Sequence, residues 1–386
     1  MARRRLFTVS FINLFVFDVL YQLVAYMTNS IVSVYALSFG ASYAVAGVLA
    51  GLNPGSSFAS RPFIGAVADL FSKKTLLVAS AALFFLATLG CSAFESSLML
   101  GLCRVVQGVS FALRSACVAS ITTVIVPAEQ LGKGMGWMGM SSVASSAFGP
   151  MVAERIGILF GYQNSFVAAS ALLLVALLLA VALKRPPKPD VGRKKTWAEI
   201  GKSIHLKGFI YKPALPYCLI GGLSAAPIGV AMPLIIVAAE DRGIADPTLF
   251  FAFYACVALL GRPIFGRASD SVDLKKIALP LLAADLAAVV ILMFMSNTAM
   301  VCLAGALLGL GQGALFSVLQ AQSVRDVDQA SVGKAANTYY IGPDLNLCIS
   351  PIIGSALLGA FGVTAMFGYA AIAVLLGIVL ACMYDI

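Results

Sequence analysis

Seven ionisable side chains stand inside long apolar runs of this chain: Asp18, Arg61, Arg104, Arg114, Arg262, Asp285 and Asp344. A charge at the centre of a bilayer costs at least ~2.5–3.5 kcal/mol, so each needs a partner or a purpose. The chemistry open to them is proton binding at the carboxylates, anion binding at the guanidinium groups, and switching as pairs form and break. The single histidine, His205, sits in a basic stretch, so neither a His-based metal site nor a catalytic triad can be built. Eight cysteines are scattered through apolar runs with no C-x-x-C pair, and read as small buried thiols. No G-x-x-x-x-G-K-[ST] phosphate loop occurs, so no cofactor is expected.

The elements that carry these residues follow from composition. Apolar residues are 60% of the 386 and charged residues 11%, against roughly 45–50% and 25% in soluble domains. Lipid must solvate most of such a chain, and about 20 apolar residues cross a bilayer as a helix. That rule predicts twelve spans, at 6–36, 43–68, 75–94, 98–125, 133–153, 160–183, 213–238, 247–268, 276–296, 298–323, 332–359 and 363–384. Met1-Ala-Arg-Arg-Arg before an apolar run has the form of a signal peptide. The run continues to about residue 36, however, and reads as an uncleaved first span.

At a rise of ~1.5 Å per residue, Asp18 lies ~18 Å from Leu6 and Arg114 ~20 Å from Pro127, both near mid-membrane. Asp344 lies ~15 Å from Lys334 and Asp285 ~14 Å from Lys276 on the same rule.

The spans fall into two sets. Arg61-Pro62-Phe63-Ile64-Gly65-Ala66-Val67-Ala68-Asp69, followed by Lys73-Lys74, recurs as Arg262-Pro263-Ile264-Phe265-Gly266-Arg267-Ala268-Ser269-Asp270 at an offset of 262 − 61 = 201 residues, with one residue inserted before Lys275-Lys276. A repeat of half the chain with a charged hinge in each copy indicates a duplicated membrane bundle. The predicted fold is therefore all-α, two pseudo-symmetric six-helix bundles at 1–183 and 213–386 around a central cavity, joined by a basic linker at 184–212. Within the linker, Thr196-Trp197-Ala198-Glu199 has capping-box spacing; a short interfacial helix to Ile204 and a solvated tether both fit it.

Lysines and arginines of the N-terminus, the Lys73-Lys74 loop, Lys133, the linker, Lys275-Lys276 and 325–334 fall on one side, leaving only Arg155 and Arg242 on the other. Both termini are thereby expected to be cytoplasmic. The net charge of +9 does not mark a nucleic-acid binder, because the positives lie in alternate loops rather than on one patch.

This layout resembles the major facilitator superfamily. Gly65, Asp69, Lys73 and Lys74 match its Gly-x-x-x-Asp-Arg-x-Gly-Arg-Lys signature, with Leu70 where Arg is expected and Ser72 where Gly is. Arg104-Val105-Val106-Gln107-Gly108 in the fourth span is similar to the Arg-x-x-Gln-Gly motif of proton-driven members, and Gly309-Leu310-Gly311-Gln312-Gly313 in the tenth keeps only the Gln-Gly. Gly149-Pro150 in the fifth span is similar to an antiporter-associated motif, without the Gly-Gly that should follow. Ser350-Pro351-Ile352-Ile353-Gly354 matches it in the eleventh, at 351 − 150 = 201. The Arg-Pro before the first hinge is similar to that of sugar-efflux-like and drug–proton antiporter-like bacterial branches.

The resemblance implies alternating access about a cavity lined by the first, fourth, seventh and tenth spans. Asp18 and Arg114 would share its N-terminal half. Asp18 would bind the proton with Arg114 as its competitor or as the substrate's anion anchor, or the two would form a static pair holding two helices. Asn13, Gln22, Asn29, Gln107 and Gln312 would add hydrogen bonds. Asp69 would lock a gate or serve as an ordinary polar turn, Arg61 would meet Asp344 when the cytoplasmic side closes, and Arg262 would pair structurally with Asp285. Tyr339, Tyr340, Asn337 and Asn346 would line the cavity or simply pack.

The function so implied is proton-coupled export of a small organic solute by a monomer; uptake or exchange of an organic anion is the alternative. A membrane enzyme would need a water-exposed nucleophile or metal cluster, and a receptor a soluble domain; the sequence offers neither.

Overall fold

The computed structural model of the protein describes residues 6–127, 130–183, 210–268, 272–325, 327 and 331–384, all of whose regular structure is helical. The linker helix expected at 196–204, and Asp270, lie outside the described residues, as do the surroundings of Gly65, Asp69 and Gly266. The first helices are α1 (Val9–Ser38), α2 (Tyr43–Leu70), α3 (Lys73–Ala93), α4 (Ser97–Ile125), α5 (Leu131–Phe160) and α6 (Tyr162–Ala182). After them come α7 (Leu215–Ser224), α8 (Ala226–Glu240), α9 (Leu249–Ala268), α10 (Leu274–Met293), α11 (Thr298–Gln322) and α12 (Val332–Met383). Nine helical stretches among the described residues are long and apolar enough to cross a bilayer. A helix satisfies its own backbone, which is why such runs adopt it in lipid.

Two breaks refine the expected spans. The seventh is interrupted at Ala225, with Pro227 two residues on at the start of α8, so one apolar run becomes two consecutive helical pieces. In α12, Gly362 has φ 80° and ψ −177°, a conformation open to glycine and not to residues with a Cβ. The predicted division between 359 and 363 falls at this glycine. The fifth span ends at Phe160 rather than 153, because Glu154 and Arg155 continue the helix instead of opening a loop.

The chain divides into two compact units, Met1–Thr28 with Ser56–Ile204 and Asn29–Gly55 with His205–Ile386. Within them the 201-residue repeat reappears as matched contacts. Ser72 caps α3 by accepting from the Thr75 amide, and Asp273 caps α10 by accepting from the Lys275 amide. Lys74 Nζ donates to the Val181 carbonyl at the end of α6 (2.6 Å), and Lys275 Nζ to the Cys382 carbonyl at the end of α12 (3.2 Å), both across 107 residues. Each lysine thus covers a carbonyl left open at a helix C-terminus, where the dipole also favours a cation. Gly161 (φ 90°) turns the chain between α5 and α6 as Gly362 turns it within α12.

The small residues are also matched. In the first unit Ser141, Ser145 and Gly149, four apart on α5, face α1: Ser145 Oγ donates to the Val19 carbonyl (3.1 Å), and a Cβ on Gly149 would stand 2.9 Å from the Leu23 carbonyl. In the second, Gly342 and Ser350 of α12 lie against Cys218 of α7 and Gly229 of α8, and Gly354 packs on Val230. Residues 29–55 belong to this unit, where Gly55 of α2 leaves room for Cys348 of α12, a Cβ there standing 2.7 Å from its sulfur. Small residues let backbones approach where no hydrophobic effect drives helices together.

Arg242 is committed to structure. It donates to the carbonyls of Met295 (2.9 Å) and Met293 (2.8 Å) and to Thr364 Oγ1 (3.1 Å), tying α8 to α10 and to α12 beyond Gly362.

Gly305 and Gly309 on α11 lie directly against the Phe250 and Tyr254 carbonyls of α9, whereas Gly136 on α5 has open space where a Cβ would go. Gly309→Ala should therefore cost ~1–3 kcal/mol through overpacking. Gly136→Ala should cost nothing, or gain up to ~1 kcal/mol in helix propensity. Thermal unfolding in detergent measures both; equal effects would contradict the close approach of α9 and α11.

Candidate functional site

Asp18 and Arg114 meet. Arg114 Nη1 pairs with Asp18 Oδ1 across α1 and α4, both residues in the first unit and 2% and 4% exposed. Two charges taken out of water repay their desolvation only when their remaining hydrogen-bonding capacity is also met. Ser141 supplies part of this, its hydroxyl donating to Asp18 Oδ2 at 2.5 Å. The guanidinium carbon stands 4.8 Å from the Phe111 ring centroid and 5.3 Å from that of Tyr21, so cation–π attraction supplies more. Phe84 of α3 stacks on Tyr21 at 4.6 Å and fixes it in place.

Part of the capacity stays open. Arg114 Nε and the Tyr21 hydroxyl are buried and make no hydrogen bond among the described residues, and neither does Asn13 Oδ1 on α1. The arrangement can do two things. Asp18 can exchange its cationic partner for a proton, and Arg114 has an uncommitted N–H with which to hold an anion.

Ser141, Tyr21 and Phe111 are absent from the sequence-based candidates. Serines and aromatics are ordinary in apolar helices, and only the four-residue spacing of Ser141, Ser145 and Gly149 hinted that this face of α5 approaches another helix.

A second buried network lies between α3 and α4. Arg104 and Gln107 are fully buried; Arg104 Nη1 donates to Gln107 Oε1 (2.9 Å), and Gln107 Nε2 donates to Thr88 Oγ1 (3.0 Å). The two motif residues thus bind each other, one helical turn apart. In the second unit Gln312 accepts from the Tyr254 hydroxyl at 3.0 Å. Asn29 and Pro351 share the wall of a small cavity of about 60 Å³ with Pro54, Met232, Pro233 and Leu347. Asp344 is half-buried on α12, and Arg61 is exposed on α2. Tyr339 is buried, its hydroxyl donating to the Phe316 carbonyl (2.8 Å).

One expected pair does not form. Asp285 accepts the Gln312 amide at 2.7 Å, while Arg262 Nε donates to the Gly313 carbonyl at 3.2 Å. The carboxylate sits in the notch left by Gly311, where a Cβ would overlap Oδ1. That position aims it at the α11 backbone instead of the arginine of α9.

Comparisons with known proteins agree with this architecture. The sequence matches the Major Facilitator Superfamily over residues 7–244 and 217–385. It is 24% identical to the multi-drug resistance efflux pump PmrA of Streptococcus pneumoniae over 323 residues, 79% of this chain and 77% of that one. To the uncharacterized MFS-type transporter YhhS of Escherichia coli it is 24% identical over 345 residues, 86% and 82% of the two chains. To the multidrug resistance protein MdtG of Citrobacter koseri it is 22% identical over 317 residues, 79% and 76%. Among solved structures, peptide transporter POT in complex with sulfate superimposes with a TM-score of 0.78 at 14% identity, over 97% of this chain and 94% of that one. A point mutant of nucleoside transporter NupG gives 0.78 at 11% identity, over 97% and 98%. These structural likenesses concern the fold alone. With apolar helices of membrane-spanning length, charges paired inside them and a family match over nearly its whole length, the chain belongs to the Major Facilitator Superfamily and is a multi-pass membrane transporter, not an enzyme.

Proposed function

We propose that the protein is a proton-coupled exporter of a small organic molecule, working by alternating access in the cytoplasmic membrane as a monomer with both termini inside. Twelve crossings are assigned: α1 to α6, α7 with α8, α9, α10, α11, and the two arms of α12 on either side of Gly362. They form six-helix bundles at 1–183 and 213–386 joined by the basic linker, with Arg61, Gly65, Asp69, Lys73, Lys74, Arg262, Gly266 and Asp270 at the cytoplasmic gates.

The observation that carries this reading is the Asp18–Arg114–Ser141 cluster. A buried ion pair with one spare guanidinium N–H has two exits from its resting state, and each corresponds to a ligand of an antiporter. Protonation of Asp18 releases Arg114; an anionic or polar solute group at Arg114 releases Asp18. The names of PmrA and MdtG favour drug-like solutes, and that of PmrA, an efflux pump, favours outward transport. The uncommitted Arg114 Nε favours a second reading, in which an organic anion is taken up or exchanged.

Asp18→Asn keeps the shape and one acceptor for Arg114 but cannot cycle a proton. In proteoliposomes it should lose gradient-driven flux and retain counterflow exchange; full driven transport by this variant would remove Asp18 from the coupling step. Arg114→Ala should weaken binding of acidic solutes roughly 10- to 100-fold, the equivalent of ~1.5–3 kcal/mol for a charge-assisted hydrogen bond. Neutral solutes should bind within about twofold, and equal loss for both would make the arginine purely structural. For the gate, Arg61→Asp and Asp344→Arg should each impair transport while the charge-swapped double variant recovers it. A double variant no better than either single one would count against that pairing.

A further inference from the structure

Asp285 has no role in the coupling cluster, yet it is the most completely enclosed carboxylate among the described residues, on α10 in the second unit at 0% exposure. Oδ1 accepts the Gln312 backbone amide at 2.7 Å; Oδ2 is buried and has no hydrogen-bond partner among the described residues. Polar side chains on the helices packed against α10 and α11 bond elsewhere. From α9, Tyr254 donates its hydroxyl to Gln312 Oε1 and Arg262 directs Nε to the Gly313 carbonyl. From α12, Tyr339 directs its hydroxyl to the Phe316 carbonyl, and Val374 and Ala381 pack on α10 with apolar surface. Among the described residues no Lys or Arg forms an ion pair with Asp285; that arrangement is seen at Asp18.

The position does not require a polar side chain to pack. In the repeat, residue 285 − 201 = 84 is Phe84, a fully buried aromatic stacked on Tyr21. An ionised carboxylate held by one amide, against apolar walls, would bear an uncompensated charge costing several kcal/mol. A ligand of positive charge on Oδ2 removes that cost. A metal cation would need a shell of oxygen ligands, and the described residues contain no cluster of three or more His, Cys, Asp or Glu to build one. A proton needs only the open lone pair of Oδ2.

We propose that Asp285 is a proton-binding site of the second unit, separate from Asp18, with the proton on Oδ2 and the Gln312 amide holding Oδ1 as the carbonyl oxygen of the acid. Tyr254 positions the site through Gln312. This depends on the membrane-embedded fold and not on the transport direction or on the role of Asp18.

Infrared spectroscopy of the full-length protein in lipid nanodiscs at neutral pH tests it through the C=O stretch of un-ionised carboxyl groups. Carbon-13 labelling of aspartate should shift a carboxylic-acid band in the wild-type protein. Asp285→Asn should remove that band, and Asp18→Asn should leave it. Asp285→Glu should keep an acid band that no longer responds to the aspartate label, which covers the case of a poorly folded asparagine variant. A labelled wild-type spectrum without an aspartic-acid band, or a band that survives Asp285→Asn, would overturn the assignment. A band that appears only on withdrawal of sodium would overturn it in favour of a metal cation.

Discussion

A carboxylate and a guanidinium removed from water can neither stay apart nor be left half-satisfied, and the first unit is arranged around that constraint. Asp18 reaches Arg114 because α1 and α4 present them at the same depth; Ser141 reaches Asp18 because α5 approaches α1 through Ser145 and Gly149. Phe111 and Tyr21 cover the guanidinium with rings instead of further hydrogen bonds. Each helix contact in this region serves a charge that would otherwise cost several kcal/mol. Arg114 Nε is left without a hydrogen bond among the described residues, which is the feature the proposed exchange of partners rests on.

The scaffold is duplicated while the chemistry is not. Helix caps at Ser72 and Asp273, lysine clasps at Lys74 and Lys275, and glycine turns at Gly161 and Gly362 recur at the 201-residue offset with the same partners in kind. In each of these contacts a side chain meets a backbone group or a glycine turns the chain, so none involves the ionisable residues inside the apolar helices. The ionisable residues differ between halves. Adding 201 to Arg114 and Ser141 gives Leu315 and Gly342, and subtracting it from Asp285 gives Phe84. Each unit therefore holds its own buried acid at a place the other does not use.

Much of this was legible because bilayers impose coarse rules. Most helices followed from apolar run length, and Asp18 stood out against Arg114 because charges in such runs are few and their depths can be counted from the nearest loop. Depth is only one coordinate. Arg262 and Asp285 also looked like partners, but rotation about the helix axes and the notch at Gly311 turned the carboxylate toward the Gln312 amide. Ser141 escaped notice because a helical serine more often returns its hydroxyl to its own backbone, and here the Met138 carbonyl at 2.6 Å competes with Asp18 for its one proton. Glu154 and Arg155 misled in the opposite sense, looking like a loop while lying within α5.

A double-mutant cycle on thermal unfolding tests most directly whether the buried pair governs the first unit. Removing one partner strands the other, so Asp18→Asn and Arg114→Gln should each cost up to ~3–5 kcal/mol. Together they should cost less than the sum by at least ~1–3 kcal/mol. Strictly additive losses would contradict the account, because the two charges would then not be supporting one another.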